Sequence, residues 1–363
     1  MKLSINNVIF PAHNASSVNN PVWDERDDGD LVPHIKGLVK RWYLEDNFEL
    51  STSGSTGLPT RICLKRSLVD WSIRKTVAAI GLTEYEHCLL CLPVTKVGGL
   101  MVLLRALQQS WKVDVFQPTT NPMLTIKSDH TYSLTSLTPH QIQNILLDEK
   151  SRLKLMRFGN VLIGGAALTE NQHSELALLS NEHGVRFFHT YGMTETASHV
   201  ALKAILQDSE TEGYQLFDGV LAELNEKDCL VLTIPELGMS WQTNDLVVMD
   251  GRHLHFRGRN DLVVNSGGLK LHISILERRL QDEMGFQDVY FWKEKDSMLG
   301  EQLVLLAKRN VNESLLRKVL SNWPGVEHPK KIYSYENLQF TTSGKIDRKA
   351  TLENEGTLLK DAE

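Results

Sequence analysis

Residues 160–190 constrain this chain more tightly than any other stretch. Residues 160–163 read as a strand. Thr169-Glu170-Asn171-Gln172 has capping-box spacing: Thr169 accepts from the first free amides, and Gln172 bonds back to the cap. The helix that starts there should end at Gly184, because glycine takes the left-handed conformation without a steric penalty. Residues 185–188 then read as a second strand. A strand–helix–strand unit closes right-handed, with parallel strands whose carboxyl ends share one edge. Gly164-Gly165-Ala166-Ala167 leaves the first strand at that edge, and Tyr191-Gly192-Met193-Thr194-Glu195 leaves the second. Open parallel sheets bind ligands there, so two polar, glycine-bearing loops should line one crevice.

The preceding sequence alternates in the same way. Strands are expected at 87–92, 112–116 and 132–136, and a helix at 98–109. Ser67 is the expected cap of another helix, running to Ile80 and ended by Gly81. Thr138-Pro139-His140-Gln141 is a further capping box, with proline at the first helical position. From about 214 to 258 the runs become short and β-rich, with Asp250-Gly251 as a hairpin turn. Beyond Arg259-Asn260-Asp261, helical patterns at 276–281 and 313–320 and apolar runs at 289–292 and 302–307 suggest a small α+β unit. The expected fold class is α/β. A large domain, 1–259, has a parallel sheet and a β-rich subdomain, and a small domain, 260–363, begins near Asp261. Residues 352–363 are polar and expected to fray.

Composition narrows the function. The chain has 363 residues, 41% hydrophobic and 23% charged, enough for a sizeable core without disulfides. A formal charge of −6 argues against a surface dominated by nucleic acid or anionic lipid. The most apolar stretch, 97–107, contains Arg105 and is too short to span a bilayer. The first seven residues have no apolar signal core. Cys88 and Cys91 form a C-x-x-C inside an apolar run, with no second pair and no redox context, so buried thiols are favoured over zinc or redox use. A reducing cytoplasm is the expected compartment.

Ser51-Thr52-Ser53-Gly54-Ser55-Thr56-Gly57-Leu58-Pro59 has the chemistry to hold phosphate. Glycines let backbone amides converge on one point, and hydroxyls add donors. It is not a Walker A loop, since no Gly-Lys-Ser/Thr follows. Taken alone, it also suits a flexible linker.

Six stretches in order, 52–57, 164–168, 191–195, 241–245, 258–268 and 341–348, resemble the adenylate-forming (AMP-binding) enzymes: acyl-CoA synthetases, peptide-synthetase adenylation domains and luciferases. The resemblance covers roughly residues 45–350 and implies a nucleotide-binding large domain and a mobile small domain. It also implies ATP and Mg²⁺ as cofactors, with coenzyme A and a small carboxylic acid as the other partners. Thr52, Ser53, Gly54, Ser55, Thr56 and Gly57 would grip the β- and γ-phosphates. Gly165 and Ala166 would lie along the adenine, with Tyr191 stacking on it beside Gly192. Thr194 would touch the α-phosphate, and Glu195 would hold Mg²⁺. Asp245 would bind the ribose hydroxyls, supported by Arg259. Asp261 would be the hinge, Gly267 and Gly268 would line the pantetheine tunnel, and Lys345 would be the catalytic lysine.

Each residue also has a plainer reading. Tyr191 suits a core aromatic, Glu195 a helix-dipole partner and Asp245 a turn cap. Arg259 suits a surface ion pair, Gly267-Gly268 a turn, and Lys345 a solvated lysine. The chain departs from the family pattern at Thr60, where Lys is usual and Arg61 follows. It departs again at Asn244, where Gly is usual and a left-handed turn would let Asn serve, and at Gln339, where Pro is usual.

Few residues precede the phosphate loop for this family. Together with 92–100 and 136–141, this resembles the o-succinylbenzoate–CoA ligases of menaquinone synthesis. The second carboxylate of that substrate would need a cationic partner. Lys96 is the candidate, with His189, Ser198 and His199 near the acyl pocket; a surface-loop lysine is the alternative. Two other functions stay open. One is ligation of another aryl or short acyl acid, including loading of a carrier-protein phosphopantetheine. The other is nucleotide binding without catalysis.

Overall fold

A computed structural model describes residues 2–5, 8–11, 31–53, 59–126, 131–207, 213–285, 288–340, 346–354 and 356–361. In chain order, the first elements are β1 (Lys2–Ile5), β2 (Val8–Pro11), α1 (Leu31–Leu44), β3 (Asn47–Ser53), β4 (Pro59–Lys65), α2 (Arg66–Ile80), β5 (His87–Leu90), α3 (Val97–Gln109) and β6 (Lys112–Val115). Next come β7 (Tyr132–Leu137), α4 (Pro139–Leu146), α5 (Glu149–Leu155), β8 (Phe158–Ile163), α6 (Glu170–His183), β9 (Arg186–Met193), β10 (Ser198–Ala204) and β11 (Tyr214–Leu216). The chain continues with β12 (Leu221–Leu224), β13 (Cys229–Ile234), β14 (Met239–Asp250), β15 (His253–Arg259), β16 (Val263–Ser266) and β17 (Leu269–His272). It closes with α7 (Ile273–Met284), β18 (Val289–Asp296), β19 (Gly300–Lys308), α8 (Glu313–Leu320), β20 (Lys331–Tyr335), α9 (Arg348–Glu353) and β21 (Thr357–Asp361).

Among the described residues, thirteen strands form one sheet in the order β12-β13-β14-β15-β11-β10-β9-β8-β7-β5-β6-β1-β2. Its centre, β9-β8-β7-β5-β6, is parallel throughout. Strand β5 shows why these strands lack polar alternation. Cys88 and Leu90 enter a core shared with α2 and α3, while Leu89 enters a second core shared with α4 and α6. Strands buried on both faces read as continuous apolar runs. Cys88 and Cys91 therefore belong to opposite cores, and both are fully buried. Burial pushes the Cys91 thiol up to about 12. The β-rich run does not stand apart: β11 pairs with both β10 and β15 and joins it to the parallel strands.

The two capping boxes form as their spacing predicts, at Thr138 with Gln141 and at Thr169 with Gln172. Gly81 and Gly184 end their helices in the left-handed conformation. Ser67 is not a cap. Helix α2 starts two residues earlier than a Ser67 cap would allow, with Lys65 at the cap position and no side-chain cap bond, because β4 runs directly into it. The C-terminal stretch is also more ordered than expected, since β21 pairs antiparallel with β20.

Strands β16 to β21 build a second, six-stranded sheet with its own apolar core on α7 and α8. Helix α7 meets α6 of the first unit: the Glu170 amide donates to Asp282 (3.0 Å), and Arg278 pairs with Glu170. Among the described residues, no helix is long and apolar enough to cross a membrane.

Candidate active site

Parallel strands bring the polar loops to one edge. The carboxyl ends of β5, β8 and β9 lead into Lys96, into Gly164–Ala167 and into Thr194-Glu195 respectively. Strand β9 is longer than its sequence suggests. Tyr191 and Gly192 belong to the strand, and only Thr194–Thr196 leaves it, as a single 3-10 turn. Hairpin pairing with β10 extends it: Gly192 faces His199, and Met193 faces Ser198.

A hydrogen-bonded cluster forms across this edge. Tyr191 Oη donates to Asp245 Oδ2 at 2.5 Å. The Arg259 guanidinium donates to Asp245 Oδ1 at 3.3 Å and grips both Asp261 oxygens at 2.9 and 2.8 Å. The pairing Asp245↔Arg259 on β14 and β15 makes this reach possible. The Asp261 hydrogen bonds, then the charges of Asp261 and Asp245, push the Arg259 pKa up against its burial. Arg259 thus links the candidate ribose and hinge residues and is more than a lone surface pair. Burial, followed by the Asp245 charge, raises the Tyr191 phenol. The Tyr191 ring leans on Tyr214 and Phe256, with centroids 5.6 and 6.4 Å away.

His189 ties this cluster to the Gly164–Ala167 loop. Its Nε2 lies 3.0 Å from the Ala166 carbonyl, and Tyr214 Oη lies 2.9 Å from its Nδ1. A carbonyl only accepts, so Nε2 carries the proton and the Tyr214 hydroxyl donates to Nδ1. Burial depresses the His189 pKa to about 4, leaving a neutral ring. Gly165 has φ +93°, and nothing lies within 4 Å of where its Cβ would sit. Gly165 and Ala166 are both exposed.

The Glu195 carboxylate is part-exposed and has no hydrogen-bond or ion-pair partner among the described residues. No cluster of three or more His, Cys, Asp or Glu able to hold a metal occurs among them either. A single free carboxylate beside a nucleotide suits Mg²⁺, which keeps waters and takes phosphate oxygens rather than an all-protein cage. Lys96 sits at the amino end of α3 with a part-exposed side chain. Ser198 starts β10, and His199 is buried behind it at 2% exposure. Lys96, Gly267 and Gly268 make no hydrogen bond to the Tyr191–Asp245–Arg259 cluster. Gly267 and Gly268, at φ +58° and +86°, form the two-residue hairpin turn between β16 and β17.

Of the phosphate-loop candidates, Thr52 and Ser53 end β3, where Thr52 faces Thr60 and Ser53 faces Pro59 of β4. Gly54, Ser55, Thr56 and Gly57 lie outside the described residues, as does Lys345. Asn244 is within strand β14 and is not left-handed, so no turn is needed before Asp245. Gln339 explains its own departure from proline. Its amide donates to Thr351 Oγ1 at 2.9 Å, a bond proline cannot make. Sequence reading missed Tyr214 and Phe256, which back Tyr191. It also missed Ser72 and Thr76, whose polarity on the buried face of α2 was the available signal.

Polar loops gathered at the carboxyl edge of a two-faced parallel sheet define an α/β ligand-binding protein. A family model described as "AMP-binding enzyme" matches residues 50–222. A solved acyl-CoA synthetase (AMP-forming)/AMP-acid ligase II-like protein from Dyadobacter fermentans is 30% identical, covering 91% of this chain and 96% of its own, with a TM-score of 0.60. The chain belongs to this family of AMP-binding enzymes. It is also 24% identical to a 2-succinylbenzoate–CoA ligase of Listeria monocytogenes, over 86% of this chain and 71% of that one. The o-succinylbenzoate CoA synthetase of Bacillus subtilis, solved with its acyl-adenylate intermediate, shares the fold at 18% identity and a TM-score of 0.72. That match covers 87% of this chain and 69% of the other.

Proposed function

We propose that this chain is an AMP-forming carboxylate–CoA ligase whose acid is o-succinylbenzoate. The observation that supports it most is the Tyr191–Asp245–Arg259 cluster set beside the exposed Gly165-Ala166 loop and the free Glu195 carboxylate. An aromatic face, a carboxylate acceptor and a metal-ready carboxylate are what adenine, ribose and Mg²⁺-bound phosphate require. Several relatives named 2-succinylbenzoate–CoA ligase support the choice of acid.

In this reading, a carboxylate oxygen of the acid attacks the α-phosphorus of ATP and pyrophosphate leaves. The thiol of coenzyme A then attacks the acyl carbon and AMP leaves. Negative charge gathers on the phosphate oxygens in the first step. The Lys345 ammonium, the loop amides at 52–57 and Thr194 stabilise it, and electrostatic stabilisation of this kind usually contributes most to catalysis. Mg²⁺ held by Glu195 would add a Lewis acid there. Asp245 fixes the ribose while Arg259 holds Asp245 in place. Residues 1–259 act as the large domain, and 260–363 turn about Asp261 between the two steps. Buried free thiols suit a reducing cytoplasm.

Pyrophosphate release over a panel of acids, with and without coenzyme A, tests the reading. o-Succinylbenzoate should give the highest kcat/KM, and AMP should be matched by acyl-CoA. A different preferred acid overturns the substrate assignment, and ATP binding without pyrophosphate release overturns the catalytic one. Asp245→Asn should raise KM for ATP about 30-fold, near 2 kcal/mol for a lost charged acceptor, with KM for the acid little changed. Lys96→Glu should do the reverse, raising KM for o-succinylbenzoate about tenfold or more. Equal changes in both KM values would exclude Lys96 as the substrate anchor.

A further inference from the structure

A buried polar circuit lies behind the Thr194–Thr196 turn. Ser72 and Thr76, one turn apart on α2, are fully buried. His199 and Arg105 reach the same point at 2% and 1% exposure. Thr76 Oγ1 donates to the Ser72 carbonyl at 2.8 Å. Its only proton is then used, so His199 Nε2 at 3.0 Å and Arg105 Nη2 at 3.3 Å must both donate to its lone pairs. His199 is therefore the Nε2–H tautomer, and its Nδ1 accepts from Ser198 Oγ at 3.1 Å. The Ser72 hydroxyl closes the circuit by donating to the Ala197 carbonyl at 2.8 Å. Burial, followed by the Arg105 charge, drives the His199 pKa far down and keeps the ring neutral.

The circuit holds a strained segment. Ala197 and Ser198 are consecutive non-glycine residues with φ of +50° and +91°. Such conformations cost about 1–3 kcal/mol each and persist only where the surroundings over-determine them. The Arg105 guanidinium adds to that cost: its Nε has no partner, and no carboxylate pairs with it among the described residues. Strain and a buried cation thus meet at the circuit that holds Ala197 and Ser198, the two residues after the Thr194–Thr196 turn.

We propose that Ser72, Thr76 and His199, with Arg105 behind them, are positioning residues that hold the Ala197-Ser198 turn and so aim the Glu195 carboxylate at Mg²⁺·ATP. This rests on Glu195 as the Mg²⁺ residue. The test is calorimetric titration of the full chain with ATP, with Mg²⁺ and with EDTA, alongside thermal unfolding and the Mg²⁺ dependence of pyrophosphate release. Thr76→Val keeps the shape and removes the acceptor. It should weaken Mg²⁺·ATP binding about tenfold and raise the Mg²⁺ requirement similarly, while ATP binding in EDTA and KM for the acid stay within about twofold. Thr76→Ser should restore both values. Ser72→Ala, which removes one hydroxyl, should shift the same readouts and carries the test if Thr76→Val does not fold. If these variants lose thermal stability but bind Mg²⁺·ATP normally while Glu195→Gln is impaired, the circuit is merely structural and the proposal is overturned. If Glu195→Gln itself leaves the Mg²⁺ dependence unchanged, the Mg²⁺ reading of Glu195 fails and the proposal goes with it.

Discussion

Lys345→Ala is expected to slow adenylation by about 10²–10³-fold and to leave thioester formation from preformed acyl-adenylate within a few-fold of normal. In the proposed mechanism the ammonium acts only while charge builds at the α-phosphate, and the attack of the thiol on the acyl carbon does not use it. The residues flanking the lysine are firmly anchored. Phe340 bridges to Ile346. Asp347 caps α9 by accepting from the Ala350 amide, and Arg348 makes a 2.7 Å ion pair with the part-buried Glu277. Arg348 Nε also donates to the Phe291 carbonyl at 3.1 Å. The described segments on either side, Phe340 and Ile346–Arg348, are thus tied to the smaller sheet. Single-turnover measurement of each half-reaction decides the matter. Equal loss in both would overturn the assignment of separate conformations to the two steps.

Gly192→Ala should be the most damaging of the glycine substitutions in this region. A Cβ at Gly192 would stand 2.1 Å from the Ser198 carbonyl oxygen and 2.5 Å from His199 Cα. Both atoms are backbone, so no rotamer relieves the clash, and the β9–β10 pair must part. A destabilisation of about 3 kcal/mol is expected, along with weaker Mg²⁺·ATP binding because the adjacent turn moves. Gly165→Ala is the contrast. Its Cβ would meet nothing within 4 Å, and only the φ of +93° opposes it, at about 1 kcal/mol. Chemical denaturation of both variants, with ATP titration, checks the pair. A Gly192→Ala protein with wild-type stability and ATP affinity would show that the hairpin is looser than its geometry implies.

Much of the fold was legible because it depends on local chemistry. Thr138 with Gln141, and Thr169 with Gln172, are three residues apart and close their boxes whatever surrounds them. Gly81 and Gly184 stop helices for the same local reason. The apolar runs of β5 and β8 marked strands, and the handedness rule then put Gly164 and Thr194 on one edge. The start of α2 was misread because its boundary depends on β4 running straight into the helix, which Ser67 could not indicate. Fraying was expected over residues 352–363 because that stretch is polar; the pairing of β21 with β20 supplies the stability its composition lacks.

The sequence alone therefore determined the alternating α/β order, the Thr138 and Thr169 caps and which loops share an edge, since each follows from residues close together in the chain. Tertiary structure decided the rest. It bonds Tyr191 to Asp245 across 54 residues and Ser72 to Ala197 across 125. It also fixes the His199 tautomer and leaves Glu195 unpaired among the described residues while burying Arg105. A hydrogen bond's donor and acceptor are set by which groups meet, and groups so far apart meet only when the sheet and its helices are packed.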